Sequence, residues 1–133
     1  MQKKLVIYTD GGARGNPGPA AIGVTIDDRH YKEYIGETTN NEAEYRAVIF
    51  ALTEAGKIVK EKKDEYGLQF FLDSELVVKQ LNREYKVKQA HLKVFWDEIQ
   101  ALRAKFKVVT FTHVRREQNK VADKLVNEVL DAL

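Results

Sequence analysis

The sequence contains no cysteine, which excludes both disulfide bonds and thiolate metal sites. Proline is scarce, with 2 residues in 133, and no apolar run approaches the length of a membrane span. The N-terminal residues do not form an apolar signal segment, so we expect a cytoplasmic protein. The formal net charge is only +2, so a surface that binds nucleic acid would have to be a local one.

The composition that remains is typical of a globular protein, with 44% apolar and 32% charged residues. A chain of 133 residues is large enough for one domain with a substantial core. We therefore expect residues 1–133 to form a single domain.

The first candidate site follows the apolar run LVIY at positions 5–8, which predicts a buried strand. That strand is expected to end at Asp10, where the glycine-rich segment 11–19 begins and indicates turns. In open α/β sheets, ligands bind at the carboxyl ends of the strands. Asp10 therefore either belongs to such a site or caps the turn through its own backbone.

A second apolar strand, GLQFFL at 67–72, is also followed by an aspartate, Asp73. A helix is predicted between the two strands, beginning at Thr39 or Asn40, and strand–helix–strand units place their strands parallel. Asp10 and Asp73 would then lie side by side if these strands are neighbours. The alternative is that Asp73 caps the predicted helix Glu75–Leu81.

The remaining elements follow from periodicity. Segments 20–28 and 31–36 are predicted to be antiparallel strands, and 107–114 is predicted to be the last strand. Amphipathic helices are predicted over 92–106 and 122–130. We expect Trp96 in the core, and His113 on the same face as Phe111 with a structural role.

Two further carboxylates lie on predicted helices. Glu44 falls at the edge of the buried face near a helix start, and Asp123 lies in the first turns of the last helix. Taken alone, Glu44 reads as an ordinary surface glutamate, and Asp123 as a residue favoured by the helix dipole.

Basic residues cluster between positions 79 and 93: Lys79, Arg83, Lys86, Lys88 and Lys93. Such a cluster is either a solvated face or a surface that follows a phosphate backbone.

Four motifs together, YTDGG, TNNEAE, FLDSE and QNKVAD, with the GNPGP loop, resemble type 1 ribonuclease H over essentially the whole chain. The resemblance implies an α/β fold with a five-stranded mixed sheet in the order 3-2-1-4-5. The first three strands would be antiparallel, with helices on both faces. It also implies that Asp10, Glu44, Asp73 and Asp123 are catalytic carboxylates that bind two Mg²⁺ ions, with Mn²⁺ able to substitute.

The implied activity is endonucleolytic cleavage of the RNA strand of RNA–DNA hybrids, giving 5′-phosphate and 3′-hydroxyl ends. It would be largely independent of sequence, and we expect a monomer. The resemblance implies the following substrate contacts: Gly11, Asn16, Thr39, Asn40, Asn41, Ser74, Glu75 and Asn119. Many relatives carry a histidine in the loop before the last aspartate. Here that loop has none, so we expect Arg115 and Arg116 to take part of its role. We expect Lys86 and Lys88, in the basic cluster, to serve binding of the hybrid rather than chemistry.

Two alternatives remain open. One is a non-catalytic module that binds hybrids or duplexes, and the other is a different polynucleotidyl transferase on the same fold.

Overall fold

A computed structural model describes residues 3–133 and contains one five-stranded mixed sheet. The strands are β1 (Lys3–Ala13), β2 (Gly18–Ile26), β3 (Arg29–Thr38), β4 (Tyr66–Leu72) and β5 (Val108–His113). Their order is β3-β2-β1-β4-β5. β1 and β3 are antiparallel to β2, whereas β4 is parallel to both β1 and β5. The predicted fold class is therefore confirmed.

The helices are α1 (Asn40–Val59), α2 (Glu75–Leu81), α3 (Ala90–Arg103) and α4 (Lys120–Asp131), with 3₁₀ turns at Lys60–Glu65 and Arg116–Gln118. Consecutive residues of β1 show that α1 and α4 cover opposite faces of the sheet. A Cβ at Gly11 would meet the backbone of Ala43 in α1, and one at Gly12 would meet Val126 in α4. None of the helices within residues 3–133 is long and apolar enough to cross a membrane.

The core lies between the sheet and the layer formed by α1, α2 and α3. Gln80 of α2 links this layer, because it accepts a hydrogen bond from the Tyr45 hydroxyl and its carbonyl accepts one from Trp96 Nε1. Trp96 is half-buried and packs against the core, as predicted.

β1 is longer than predicted. Its pairing with β2 continues through the glycines to Ala13, opposite Ala20. Its pairing with β4 stops at Tyr8, opposite Phe71. The prediction that the strand ends at Asp10 is wrong, because glycine in a strand can also mark a close approach of another backbone.

His113 also departs from the expected pattern. Val109 and Phe111 are buried, but His113 is exposed. It is the last residue of β5, which is an edge strand, and the alternating burial of the strand stops at Phe111.

Candidate active site

Two aspartates lie side by side where the parallel pairing of β1 and β4 ends. The last paired residues are Tyr8 and Phe71, and Asp10 and Asp73 each follow two residues later. One carboxylate oxygen from each aspartate lies within 4.8 Å of the other. The rule for strand–helix–strand units therefore predicted this pair correctly.

Helix α1 brings a third carboxylate to the pair. Its backbone lies so close to β1 that a Cβ on Gly11 would be 2.3 Å from the carbonyl carbon of Ala43. This approach lets Oε1 of Glu44 accept a hydrogen bond of 2.8 Å from the Gly11 N–H. Glu44 is only 8% exposed, so its reading as an ordinary surface glutamate is wrong.

These three carboxylates can supply oxygens to one metal ion, since the ligand atoms of Asp10, Glu44 and Asp73 all lie within 4.8 Å of one another. We call them the carboxylate cluster. None of the ion pairs within residues 3–133 involves a member of the cluster.

Burial and mutual repulsion raise the pKa values of the cluster. Burial first, then the charges of Asp73 and Asp123, raise the pKa of Asp10 from 3.8 to about 8. Burial and the charges of Asp10 and Asp73 raise the pKa of Glu44 well above its usual range. Burial also raises the pKa of Asp73, while the Asn119 amide and the Arg116 guanidinium lower it.

Asp123 of α4 is not one of the three carboxylates whose oxygens all lie within 4.8 Å of one another. Its carboxyl group nevertheless lies next to Asp10, whose pKa it raises through its charge and a side-chain hydrogen bond. Its Oδ1 is 3.9 Å from Nη2 of Arg116, and its Oδ2 accepts a hydrogen bond of 3.4 Å from Asn127 Nδ2. Of the four predicted catalytic carboxylates, the structure brings three together and places the fourth at the side of the same cleft.

The cleft has a volume of about 420 Å³ and opens over the cluster. Besides the four carboxylates, the following predicted substrate or auxiliary residues line it: Gly11, Asn40, Ser74 and Arg116. The surface of the cleft is therefore formed mainly by carboxylates and hydrogen-bonding groups.

Two asparagines have fixed orientations: Asn40, which lines the cleft, and Asn16, which is hydrogen-bonded to it. Oδ1 of Asn16 accepts a hydrogen bond of 2.9 Å from the Asn40 N–H. Oδ1 of Asn40 in turn accepts one of 2.8 Å from the Ala13 N–H. Because each amide oxygen is held by a backbone donor, the NH₂ group of each side chain must point away from that donor.

Three other predicted contact residues begin helices or lie next to their starts. The hydroxyl oxygens of Thr39 and Ser74 cap α1 and α2 by accepting from Glu42 N and Val77 N. Glu75 is exposed, with its Oε2 3.9 Å from Lys79 Nζ.

Asn41, Lys86 and Lys88 line a second groove of about 570 Å³, which also includes Tyr85 and Leu92. In the part of the chain that the structure describes, Lys86 and Lys88 make no ion pair and no side-chain hydrogen bond. Lys93, by contrast, is paired with an aspartate. The groove is also lined by one carboxylate, Glu84, so its two lysines leave it with a small excess of positive charge.

The structure separates the two loop arginines that the sequence treated alike. Arg116 lines the cleft and faces Asp123. Both side chains are exposed, at 77% for Arg115 and 81% for Arg116, so their partners distinguish them. Nε of Arg115 lies 3.4 Å from an oxygen of Glu117, and Arg115 does not line the cleft.

Asn119 does not lie on the surface of the cleft. It is 1% exposed, and its Nδ2 donates a hydrogen bond of 2.9 Å to the carbonyl of Thr9.

Sequence reasoning missed Arg14 and Asn127. Arg14 lines the cleft, and its guanidinium contacts Asp131 at 2.5 Å and Asn127 at 3.4 Å. Asn127 follows Asp123 by four positions on α4, and this spacing could have identified it as a neighbour. No local signal points to Arg14, because its partners lie at the other end of the chain.

The cluster fits a hard divalent cation. Its ligand atoms are all carboxylate oxygens, which suit Mg²⁺, Mn²⁺ or Ca²⁺. Burial and mutual repulsion of the carboxylates raise the pKa of Asp10, and a bound cation would offset that repulsion.

Comparison with known proteins agrees with this site. A family model described as reverse transcriptase-like matches residues 8–129. The chain is similar to LC11-RNase H1, solved in complex with an RNA/DNA hybrid, with 44% identity and a TM-score of 0.91 over 96% of this chain and 97% of that one. It is also similar to RNase H1 from Halobacterium salinarum, with 36% identity and a TM-score of 0.87 over 98% and 99% of the two chains.

A longer relative is a bifunctional protein of Mycobacterium tuberculosis, 38% identical over 136 residues. The match includes 97% of this chain but 36% of that protein, so the chain spans about a third of that relative's length. Because the family model covers most of the chain and two solved RNase H1 structures match it almost end to end, the chain belongs to the type 1 ribonuclease H family.

Proposed function

We propose that this protein is an endonuclease that hydrolyses the RNA strand of RNA–DNA hybrids. The observation that carries the proposal is the meeting of Asp10, Glu44 and Asp73 from three different elements, with oxygens within 4.8 Å. Support also comes from the 44% identical LC11-RNase H1, whose structure holds an RNA/DNA hybrid.

In this proposal the carboxylate cluster and Asp123 hold Mg²⁺, with Mn²⁺ able to substitute. The chemistry supplied by such cations is electrostatic stabilisation of the charge that develops on the scissile phosphate. In the overall reaction, water adds to phosphorus and the bond to the 3′ oxygen breaks, which leaves a 5′-phosphate and a 3′-hydroxyl.

The protein contributes a fixed arrangement of charge. Glu44 is held by the Gly11 N–H, so it cannot swing away from the two aspartates. Arg116 lies next to Asp123 at the cleft, where a guanidinium can stabilise negative charge on a phosphate but cannot transfer a proton near neutral pH.

The residues around the cleft suit a nucleic acid backbone. The NH₂ groups of Asn16 and Asn40, with their oxygens fixed, can donate to phosphate or ribose oxygens. Lys86 and Lys88 can contact phosphates of the hybrid. Contacts of this kind do not read base edges, so cleavage is expected to be largely independent of sequence.

The proposal also concerns the domain organisation and the oligomeric state of the protein. Residues 1–133 act as a single domain, and the protein works on the hybrid as a monomer. Sedimentation of the protein with and without a short hybrid tests the second point, because a dimer would double the mass.

The decisive experiment uses end-labelled RNA–DNA hybrid, double-stranded RNA and double-stranded DNA, each with Mg²⁺ and with EDTA. We expect Mg²⁺-dependent cleavage of the hybrid only, and none by Asp10→Asn. Polymerase extension of the products tests for the 3′-hydroxyl. Binding of hybrid without cleavage would indicate a non-catalytic module, and strand transfer or cleavage of double-stranded DNA would indicate another transferase.

A further inference from the structure

Asn119 is buried in a segment that is otherwise exposed. It is 1% exposed, whereas Gln118 and Lys120 on either side are both exposed. A buried polar side chain normally has hydrogen-bond partners, and the environment of this one consists of elements that carry the catalytic carboxylates.

Two hydrogen bonds of Asn119 join β1 to α4. The side-chain Nδ2 donates to the carbonyl of Thr9 at 2.9 Å, immediately before Asp10. The main-chain carbonyl accepts from the N–H of Asp123 at 3.1 Å. One residue therefore connects the backbone next to Asp10 with the backbone of Asp123, although Thr9 and Asn119 are 110 positions apart.

The packing of α4 does not by itself fix this connection. A Cβ at Gly23 would be 2.3 Å from the carbonyl oxygen of Ala122, so backbone contact limits how closely the helix approaches the sheet. Apolar contacts are not directional, so they resist sliding or rotation of α4 only weakly. The Asn119–Thr9 bond is directional, and it lies at the end of α4 that carries Asp123.

The orientation of the amide supports a positioning role. The Thr9 carbonyl is an acceptor, so the NH₂ group must face it, and Oδ1 of Asn119 is buried without a partner in the described residues. A residue that bound substrate directly would present a polar atom to the cleft, and Asn119 is not among the residues that line it.

We propose that Asn119 is a positioning residue that holds Asp123 at a fixed distance from the carboxylate cluster, and thereby sets the divalent-cation affinity of the site. It does not contact the substrate. This inference rests on the proposed function for its catalytic consequence, but its consequence for cation binding does not depend on the substrate.

The test is a double-mutant cycle of Asn119→Ala with Asp123→Asn. Calorimetric titration of the substrate-free proteins with Mn²⁺ is the first readout. We expect Asn119→Ala to weaken Mn²⁺ binding about tenfold or more, the range seen when groups that orient metal ligands are removed. The Asn119 amide also lowers the pKa of Asp73, and an effect through Asp73 would persist after Asp123 is replaced. If Asn119 acts through Asp123, the double variant therefore binds no more weakly than Asp123→Asn alone.

Hybrid cleavage is the second readout. We expect a fall in kcat of about tenfold or more with KM within about twofold, and again no further loss in the double variant. Additive losses, a change confined to KM, or wild-type Mn²⁺ affinity in Asn119→Ala would overturn the proposal. If the wild type does not cleave the hybrid, the proposed function is wrong. The double-mutant cycle measured by Mn²⁺ titration would still test the role of Asn119.

The matched control is Asn82→Ala. The Nδ2 of Asn82 also donates a 2.9 Å hydrogen bond to a strand carbonyl, that of Phe111, away from the carboxylates. We expect this variant to lose stability but to keep its Mn²⁺ affinity and kcat. Should Asn119→Ala fail to fold, Asn119→Ser takes its place, because serine is a good residue before a helix but too short to reach Thr9.

Discussion

Replacing Asp10 with asparagine should abolish hybrid cleavage and, in the absence of metal, stabilise the fold. The side chain is 8% exposed and lies among three other carboxylates. Asparagine has nearly the same shape but carries no charge, so it removes both the desolvation of the carboxylate and its repulsion by Asp73 and Asp123.

The size and pH dependence of the gain follow from the pKa of Asp10. Its displacement from 3.8 to about 8 corresponds to roughly 6 kcal/mol at most. Relaxation and water penetration reduce such penalties, so we expect a gain of about 2 to 4 kcal/mol near pH 8. Because its folded-state pKa is raised, the contribution of Asp10 to wild-type stability is greatest below about pH 4, where both states hold the proton, and this contribution falls as the pH rises towards 8.

Urea unfolding in EDTA at pH 4.5 and pH 8 measures this difference. The advantage of Asp10→Asn should be small at pH 4.5 and large at pH 8. Mg²⁺ at pH 8 should then stabilise the wild type more than the variant, since a cation relieves the same repulsion. The control is Asp28→Asn in the exposed β2–β3 turn, which should change stability by less than about 0.5 kcal/mol.

An equal stability of wild type and Asp10→Asn at both pH values would refute the reasoning, because the carboxylates could then be neither close nor desolvated. Near-wild-type Mg²⁺-dependent cleavage by the variant would refute the assignment of the active site.

Three further predictions follow from the same structure. Changing Lys86 and Lys88 together to glutamine should weaken hybrid binding and reduce its salt slope by about one to two, with little change in the single-turnover rate at saturating enzyme. Arg116→Ala should lower kcat about tenfold, or about 1.4 kcal/mol, while Arg115→Ala changes it little, because only the former faces Asp123. Gly11→Ala should cost more than about 2 kcal/mol in urea unfolding, since the added Cβ would collide with the α1 backbone.

Each of these predictions has a contrary outcome. An unchanged salt slope would show that the lysines form only a solvated face. Equal kcat values for the two arginine variants would remove the special role of Arg116. Gly12→Ala is the control for Gly11→Ala, since its Cβ would have no neighbour closer than 3.7 Å, and equal losses in both would indicate a general cost of altering β1.

Much of the fold could be predicted from local patterns. The bounds of α2, Glu75–Leu81, agree with the prediction, since a serine cap and a short apolar stripe define them. The pairing of Asp10 with Asp73 followed from one rule about strand–helix–strand units. The C-terminal end of β1 could not be predicted. Gly11 and Gly12 are typical of a turn, but their pairing with β2 keeps them in the sheet.

The candidate site was only partly predictable for the same reason. Glu44 has an unremarkable local sequence, and its role depends on the Gly11 N–H, 33 positions away. Arg115 and Arg116 are adjacent and chemically identical, so no pattern could tell which one reaches the cleft.

The sequence by itself determined the order of the elements, the faces they bury and, through four short motifs, the family to which the chain belongs. Only the tertiary structure decided that Asn119 is buried against Thr9 while Arg116 faces Asp123. The physical reason is that periodicity reports which side of an element avoids water, whereas individual hydrogen bonds between distant elements depend on how helices and sheet pack together.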